Sequence, residues 1–135
     1  MSIYILWDFL TDRGDNIILR WVKNARLTTR DRAALNQKLD RLCQIDFDLA
    51  HGTKLLAGPI YKHIYKLVIH GDVMLRPMLC RGPLEVEKEY TLLLGAIERG
   101  GKLPAGSQEQ AERHRQIVID TPKRRKIHER IPKHS

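Results

Sequence analysis

The order of apolar and polar positions sketches a strand, two helices, a strand hairpin, a further strand and a final helix. Residues Ile3 to Leu10 are apolar apart from Asp8 and rich in β-branched and aromatic side chains, so they predict a first strand. A turn cluster, Thr11 to Asn16, follows. Asn16 then suits the cap of a helix over Ile17 to Asn24, with Ile17, Ile18, Trp21 and Val22 on one face. Thr28 and Asp31 have the spacing of a second helix start, and Leu35, Leu39, Leu42 and Ile45 continue it as a single buried stripe. Cys43 lies beside that stripe and reads as a small core residue. Asp46 to Pro59 reads as irregular. Tyr61 to His70 and Val73 to Cys80 predict two strands joined by a two-residue Gly71-Asp72 turn of type II′. Glu89 to Ile97 predicts a third strand around Leu92, Leu93 and Leu94. Pro104 suits the start of a helix reaching about Ile119, with Ala111, His114 and Val118 or Ile117 inward. The layout is α+β, a small antiparallel sheet with two N-terminal helices and a C-terminal helix.

The predicted turn makes Leu67 oppose Arg76 and Tyr65 oppose Met78. One face then carries Tyr61, His63, Tyr65, Leu67, Arg76, Met78 and Cys80. The other carries Lys62, Ile64, Lys66, Val68, Leu75 and Leu79, whose aliphatic centre makes it the first choice for the core. The face with tyrosines, histidine and arginine is either an RNA surface, since rings stack on bases and guanidinium groups bind phosphate, or part of the core. Pro77 cannot donate a ladder bond. A bulge there would shift the register and bring Lys66 and Arg76 together.

Composition narrows the partners. The 135 residues carry a formal charge of +8, with 42% apolar content, enough for one domain with a core and an anionic partner such as nucleic acid. Residues 122–135 hold six basic side chains against Glu129, a net of +5, and residues 54–84 hold a net of +4. The first block, beginning at Thr121-Pro122, reads as a tail outside the domain of residues 1–121. It is either a solvated, mobile end or a grip on phosphate, and its four consecutive basic residues also permit a nuclear-localisation reading. No apolar run reaches the length of a membrane helix, and two cysteines make no disulfide framework. A reducing cytoplasm is the expected compartment, with no membrane partner. His63, His70 and Cys80 lack the close spacing of a metal site, so neither metal nor cofactor is expected. No phosphate-binding glycine loop or nucleophile elbow occurs, and Glu85, Glu87 and Glu89 read as a solvated strand edge.

The hairpin Ile64-Tyr65-Lys66-Leu67 and Leu75-Arg76-Pro77, then Leu92-Leu93-Leu94, a basic loop, Pro104 and Ala111-Glu112-Arg113 resemble the RelE/HigB superfamily of toxin–antitoxin toxins. The phage-derived toxin-like branch is the nearest in pattern, and Ala111 stands seven residues after Pro104 as that branch has it. The resemblance spans about residues 1–118. It implies a metal-independent endoribonuclease acting on ribosome-bound mRNA and silenced by a cognate antitoxin, of helix-turn-helix type by expectation. In such enzymes the 2′-hydroxyl attacks the adjacent phosphate while basic side chains stabilise the charge building on phosphorus. Carried over by position, Arg76 binds the scissile phosphate and Lys66 falls at or beside the basic position of the first hairpin strand. Arg99 and Lys102 match the loop, and Arg113 matches the final helix. Lys62 and Arg81 add positive charge for RNA, and His63 or Tyr65 would move protons. Two positions depart from the pattern. Glu98 stands where a lysine is expected and Ala96 where an aromatic residue is expected. They leave open a non-catalytic nucleic-acid- or protein-binding module on the same fold.

Overall fold

A computed structural model describes residues 2–134. The fold is α+β, with four helices and mostly antiparallel strands. Strand β1 (Ile5–Phe9) leads to α1 (Ile17–Asn24) and α2 (Thr29–Gln44). Both caps form as the sequence predicts. Asn16 Oδ1 accepts from the amides of Ile18 and Leu19, and Thr28 and Asp31 make a reciprocal capping box. The stretch expected to be irregular instead holds α3 (Phe47–Gly52), capped by Asp46, and β2 (Leu56–Tyr61). Then come β3 (Ile64–Leu67), β4 (Ile69–His70), β5 (Met74–Leu75), β6 (Met78–Arg81), β7 (Glu89–Leu94), β8 (Ile97–Glu98), α4 (Ser107–Asp120) and β9 (Arg125–Ile127). The main sheet runs β2-β3-β6-β7-β1-β9, and β4-β5-β8 form a small second sheet. The β1–β7 pair is parallel, an exception to the antiparallel expectation.

The sheet is buried on both faces. Leu67, Leu79, Leu92 and Leu6 pack with Ile18, Leu35, Leu39 and Leu42 under α1 and α2. Phe9, Ile64, Met78, Cys80 and Leu93 pack with Ala111 and Val118 of α4. Neither face of the hairpin is therefore open to RNA along its length.

The hairpin register differs from the prediction by one residue. His70 pairs with Met74, and Lys66 pairs with Met78, so three residues turn the chain instead of two. The cause lies in α2. Asp31 Oδ1 accepts from the amides of Asp72 (2.7 Å) and Val73 (3.3 Å), which holds the turn from outside. Gly71 lies so close to that carboxylate that a Cβ would come within 2.3 Å of it. A one-residue slip exchanges faces. Tyr65, Leu67, Leu75 and Leu79 turn toward α1 and α2, and Lys66 shares the α4 side with Arg76.

The basic C-terminal block is part of the fold and not a separate solvated tail. Strand β9 pairs antiparallel with β1, Trp7 opposite Ile127. Arg125 donates to Glu89 at 2.7 and 3.2 Å and lies 4.0 Å over the Trp7 ring. His128 Nδ1 meets the buried carboxylate of Asp8 at 2.9 Å. Ile131 is buried in the first core, and Asn36 bonds both its amide and its carbonyl. Glu89 is likewise buried, against the expectation of a solvated acidic edge. Burial alone would raise its pKa, but Arg125 and the amides of Glu85 and Leu84 hold it below the usual carboxylate range. No helix is long and apolar enough to cross a membrane, among the described residues.

Candidate functional site

Gly95, between β7 and β8, sets the geometry of the site. The Trp21 ring lies flat against it, and a Cβ there would stand 1.9 Å from the indole. Half-buried Trp21 thus becomes the shared wall of two adjoining clefts. The first, about 610 Å³, opens between α1, the end of β7 and α4, with Arg20, Asn24, Gln110, His114 and Arg124 around Phe9 and Trp21. The second, about 510 Å³, runs from Trp21 to Arg99, Lys102 and Pro104. Arg99 and Lys102 face each other across the Gly100-Gly101 turn, joined by two backbone hydrogen bonds of 2.9 and 3.0 Å.

His114 stacks on Phe9 with ring centroids 4.1 Å apart and planes 11° off parallel. Its Nδ1 donates to the Leu93 carbonyl at 2.7 Å, which fixes the tautomer and leaves Nε2 as acceptor. Burial lowers its pKa, the Leu93 bond opposes that, and the positive charges of Arg113 and Arg124 lower it further. The imidazole is therefore neutral near pH 7.

Behind the second cleft, Glu98 holds the two cations on which the resemblance places phosphate binding. Lys66 Nζ and the Arg76 guanidinium each stand 3.4 Å from one Glu98 oxygen. Arg76 is only 5% exposed, and its Nη1 donates to the carbonyls of Ile69 and Leu75. Its Nε, buried, has no hydrogen-bond partner. Burial tends to raise the Glu98 pKa, but Arg76 and Lys66 more than offset that and hold it low. A carboxylate so stabilised is a weak base, and its effect here is to pair with two cations and offset one of their two charges.

The remaining expected residues do not join this group. Tyr65 packs edge-on against Phe47, and Arg81 lies 4.0 Å over the same ring, both on the side of α3. His63 is exposed at the tip of the β2–β3 turn beside Lys62. Lys62 and Arg113 line a separate depression with Glu109 and Glu112. The structure thus joins Lys66 and Arg76 at Glu98, sets Arg99 and Lys102 together at the second cleft, and leaves His63, Tyr65 and Arg81 out of both groups. Sequence reasoning missed Trp21, Arg20 and Arg124 as site residues and took His114 only as an inward helix position. One signal was present, because a glycine next to a leucine-rich strand marks a close approach of another group to the backbone.

No family model, curated protein or solved structure matches this chain.

Proposed function

We propose that this protein binds single-stranded RNA across the Trp21 ridge and cleaves it as a metal-independent endoribonuclease of the RelE/HigB toxin type. The arrangement of Trp21 carries the reading. A half-buried ring is fixed between Arg20 and Arg124 on one side and Arg99 and Lys102 on the other. Rings that stack bases beside cations that track phosphates are the means by which single strands are held. Two N-terminal helices on a mostly antiparallel sheet support the reading at the level of the α+β layout.

In this reading the 2′-hydroxyl attacks the adjacent phosphate, the P–O5′ bond breaks, and the products are a 2′,3′-cyclic phosphate and a 5′-hydroxyl. Lys66 and Arg76, once released from Glu98, stabilise the charge developing on phosphorus. His114, neutral and with Nε2 unprotonated, accepts the 2′-hydroxyl proton, and the leaving 5′-oxygen takes up a proton from solvent. The ribosome-bound mRNA is the substrate, and a helix-turn-helix antitoxin silences the enzyme. The hold of Glu98 on Arg76 favours one alternative, a non-catalytic RNA-binding module on the same fold.

Trp21→Ala is expected to weaken binding of a ten-nucleotide uridine RNA by about 5- to 100-fold, the worth of one base stacked on an aromatic ring. Anisotropy titration of a fluorescein-labelled copy of that RNA measures it for wild type and variant alike. Unchanged affinity removes the ridge as the binding site. Cleavage is tested separately, on mRNA with ribosomes in the presence of a chelator. Intact RNA with both the wild type and Glu98→Gln, under conditions where binding persists, leaves the non-catalytic module.

A further inference from the structure

On the side of the sheet covered by α2, a groove of about 490 Å³ gathers Lys38 and Arg41 of α2, Lys54 of the α3–β2 connection and His70 of β4 over Leu55 and Val68. No acidic side chain lines it. Among the described residues no carboxylate lies within ion-pair distance of Lys38, Arg41 or Lys54. The two acids of α2 are engaged elsewhere, Asp31 with its cap and the hairpin turn and Asp40 with Arg130. In the C-terminal block, by contrast, Arg125, Lys126 and Arg130 are each paired with a carboxylate.

Lys54 supplies an independent observation. It adopts φ +64°, in the left-handed region, just past the end of α3. Glycine or asparagine fits such a position without strain, so a lysine there is a cost to the fold. An observed backbone outlier of this kind points to a use for the side chain.

We propose that this groove binds the phosphate backbone of double-helical RNA, as a second site distinct from the Trp21 clefts. Three cations from two elements, α2 and the α3–β2 connection, converge with no Trp, Tyr or Phe among the lining residues, which suits phosphates more than unpaired bases. The groove and the clefts share no lining residue. The inference rests on the single-strand reading of the clefts only in naming RNA, since a stem with an unpaired extension then engages both.

The experiment measures affinity of a blunt 12-base-pair RNA duplex and of the ten-nucleotide uridine RNA across salt concentrations. The triple variant Lys38→Glu/Arg41→Glu/Lys54→Glu is expected to bind the duplex at least tenfold more weakly at about 100 mM salt. The slope of log affinity against log salt should shrink by about 2–3. Its affinity for the uridine RNA should stay within about twofold. A control reversing the exposed Lys88, Lys123 and Lys133 makes the same change in net charge outside the groove. Duplex affinity equal to wild type in the triple variant overturns the proposal, as does equal weakening in the control. Lys54→Gly separates charge from conformation, because it should raise the melting temperature and lower duplex affinity together. Trp21→Ala should leave the duplex untouched, so a failure of the cleft reading and a failure of the groove give different patterns.

Discussion

Glu98→Gln is expected to make the free protein less stable and its hold on RNA stronger. The Glu98 carboxylate is the only anion paired with Lys66 and Arg76 among the described residues. Its removal leaves a nearly buried guanidinium without a counter-charge. A fully buried pair broken this way costs roughly 3–5 kcal/mol. Here Glu98 and Lys66 are about one-fifth exposed and both contacts are 3.4 Å long, so about 1–2 kcal/mol is the fitting scale. For a chain of this size that lowers the melting temperature by roughly 4–8 °C. The same two cations then become available to phosphate, and RNA affinity should rise roughly 10- to 100-fold, or about 1.4–2.8 kcal/mol. RNA should in turn restore the lost melting temperature. A variant with unchanged RNA affinity would show that Lys66 and Arg76 are purely structural. Acidity gives a second check. The Glu98 pKa is lower in the folded state than in the unfolded chain, where it lies near 4.3. Its stabilisation is therefore complete above that pH and lost as pH falls through the folded value. Below it, wild type and Glu98→Gln should converge in stability.

Arg125→Ala is expected to cost about 3–5 kcal/mol, a fall of roughly 10–20 °C in melting temperature. The guanidinium and the Glu89 carboxylate are both nearly buried, side chains 7% and 4% exposed, and meet through two parallel hydrogen bonds. Arg125 also donates to Thr91 at 3.2 Å and covers Trp7. Losing it leaves Glu89 charged and buried, and releases the edge strand from β1. Glu89→Gln/Arg125→Ala, which removes the charge as well, should be more stable than Arg125→Ala alone. A melting temperature within a degree or two of wild type would show that β9 adds nothing to the body. The same geometry makes removal of residues 122–135 a poor test of nucleic-acid binding, because it takes away an edge strand, Ile131 and the partners of Asp8 and Glu89.

What could be read from the sequence was local. Asn16, Thr28 and Asp31 act within three residues of themselves, so their caps were legible. The stripe from Leu35 to Leu42 was legible because a helix has one period. The hairpin register was not, since Asp31, about forty residues away, decides it through two amides of the turn. The fate of the C-terminal cations was hidden for the same reason. Glu89, Asp8 and Asn36 are distant in sequence, and a run of lysine and arginine has no internal pattern that reports its partners. Charge counting placed the second basic segment on the hairpin correctly. It could not show that Glu98 pairs with two of those cations. The site was half legible. Arg99 and Lys102 stand in one loop and Lys66 and Arg76 in one hairpin, so each pair was legible, whereas the ring that organises the clefts sits on α1 and is placed by Gly95.

The position of β1 also governs when the molecule can assemble during its synthesis. Residues 5–9 are made well before their sheet neighbours, residues 89–94 and 125–127. At about 5–20 residues per second, the first strand waits some 6–24 s for the second of these partners to be made. Until residue 94 is made the strand of Phe9, which lines the larger of the two clefts, has neither neighbour, and until residue 127 it has only β7. A nascent chain therefore carries no finished cleft, and whatever the cleft does begins only after Arg124 and β9 have been translated.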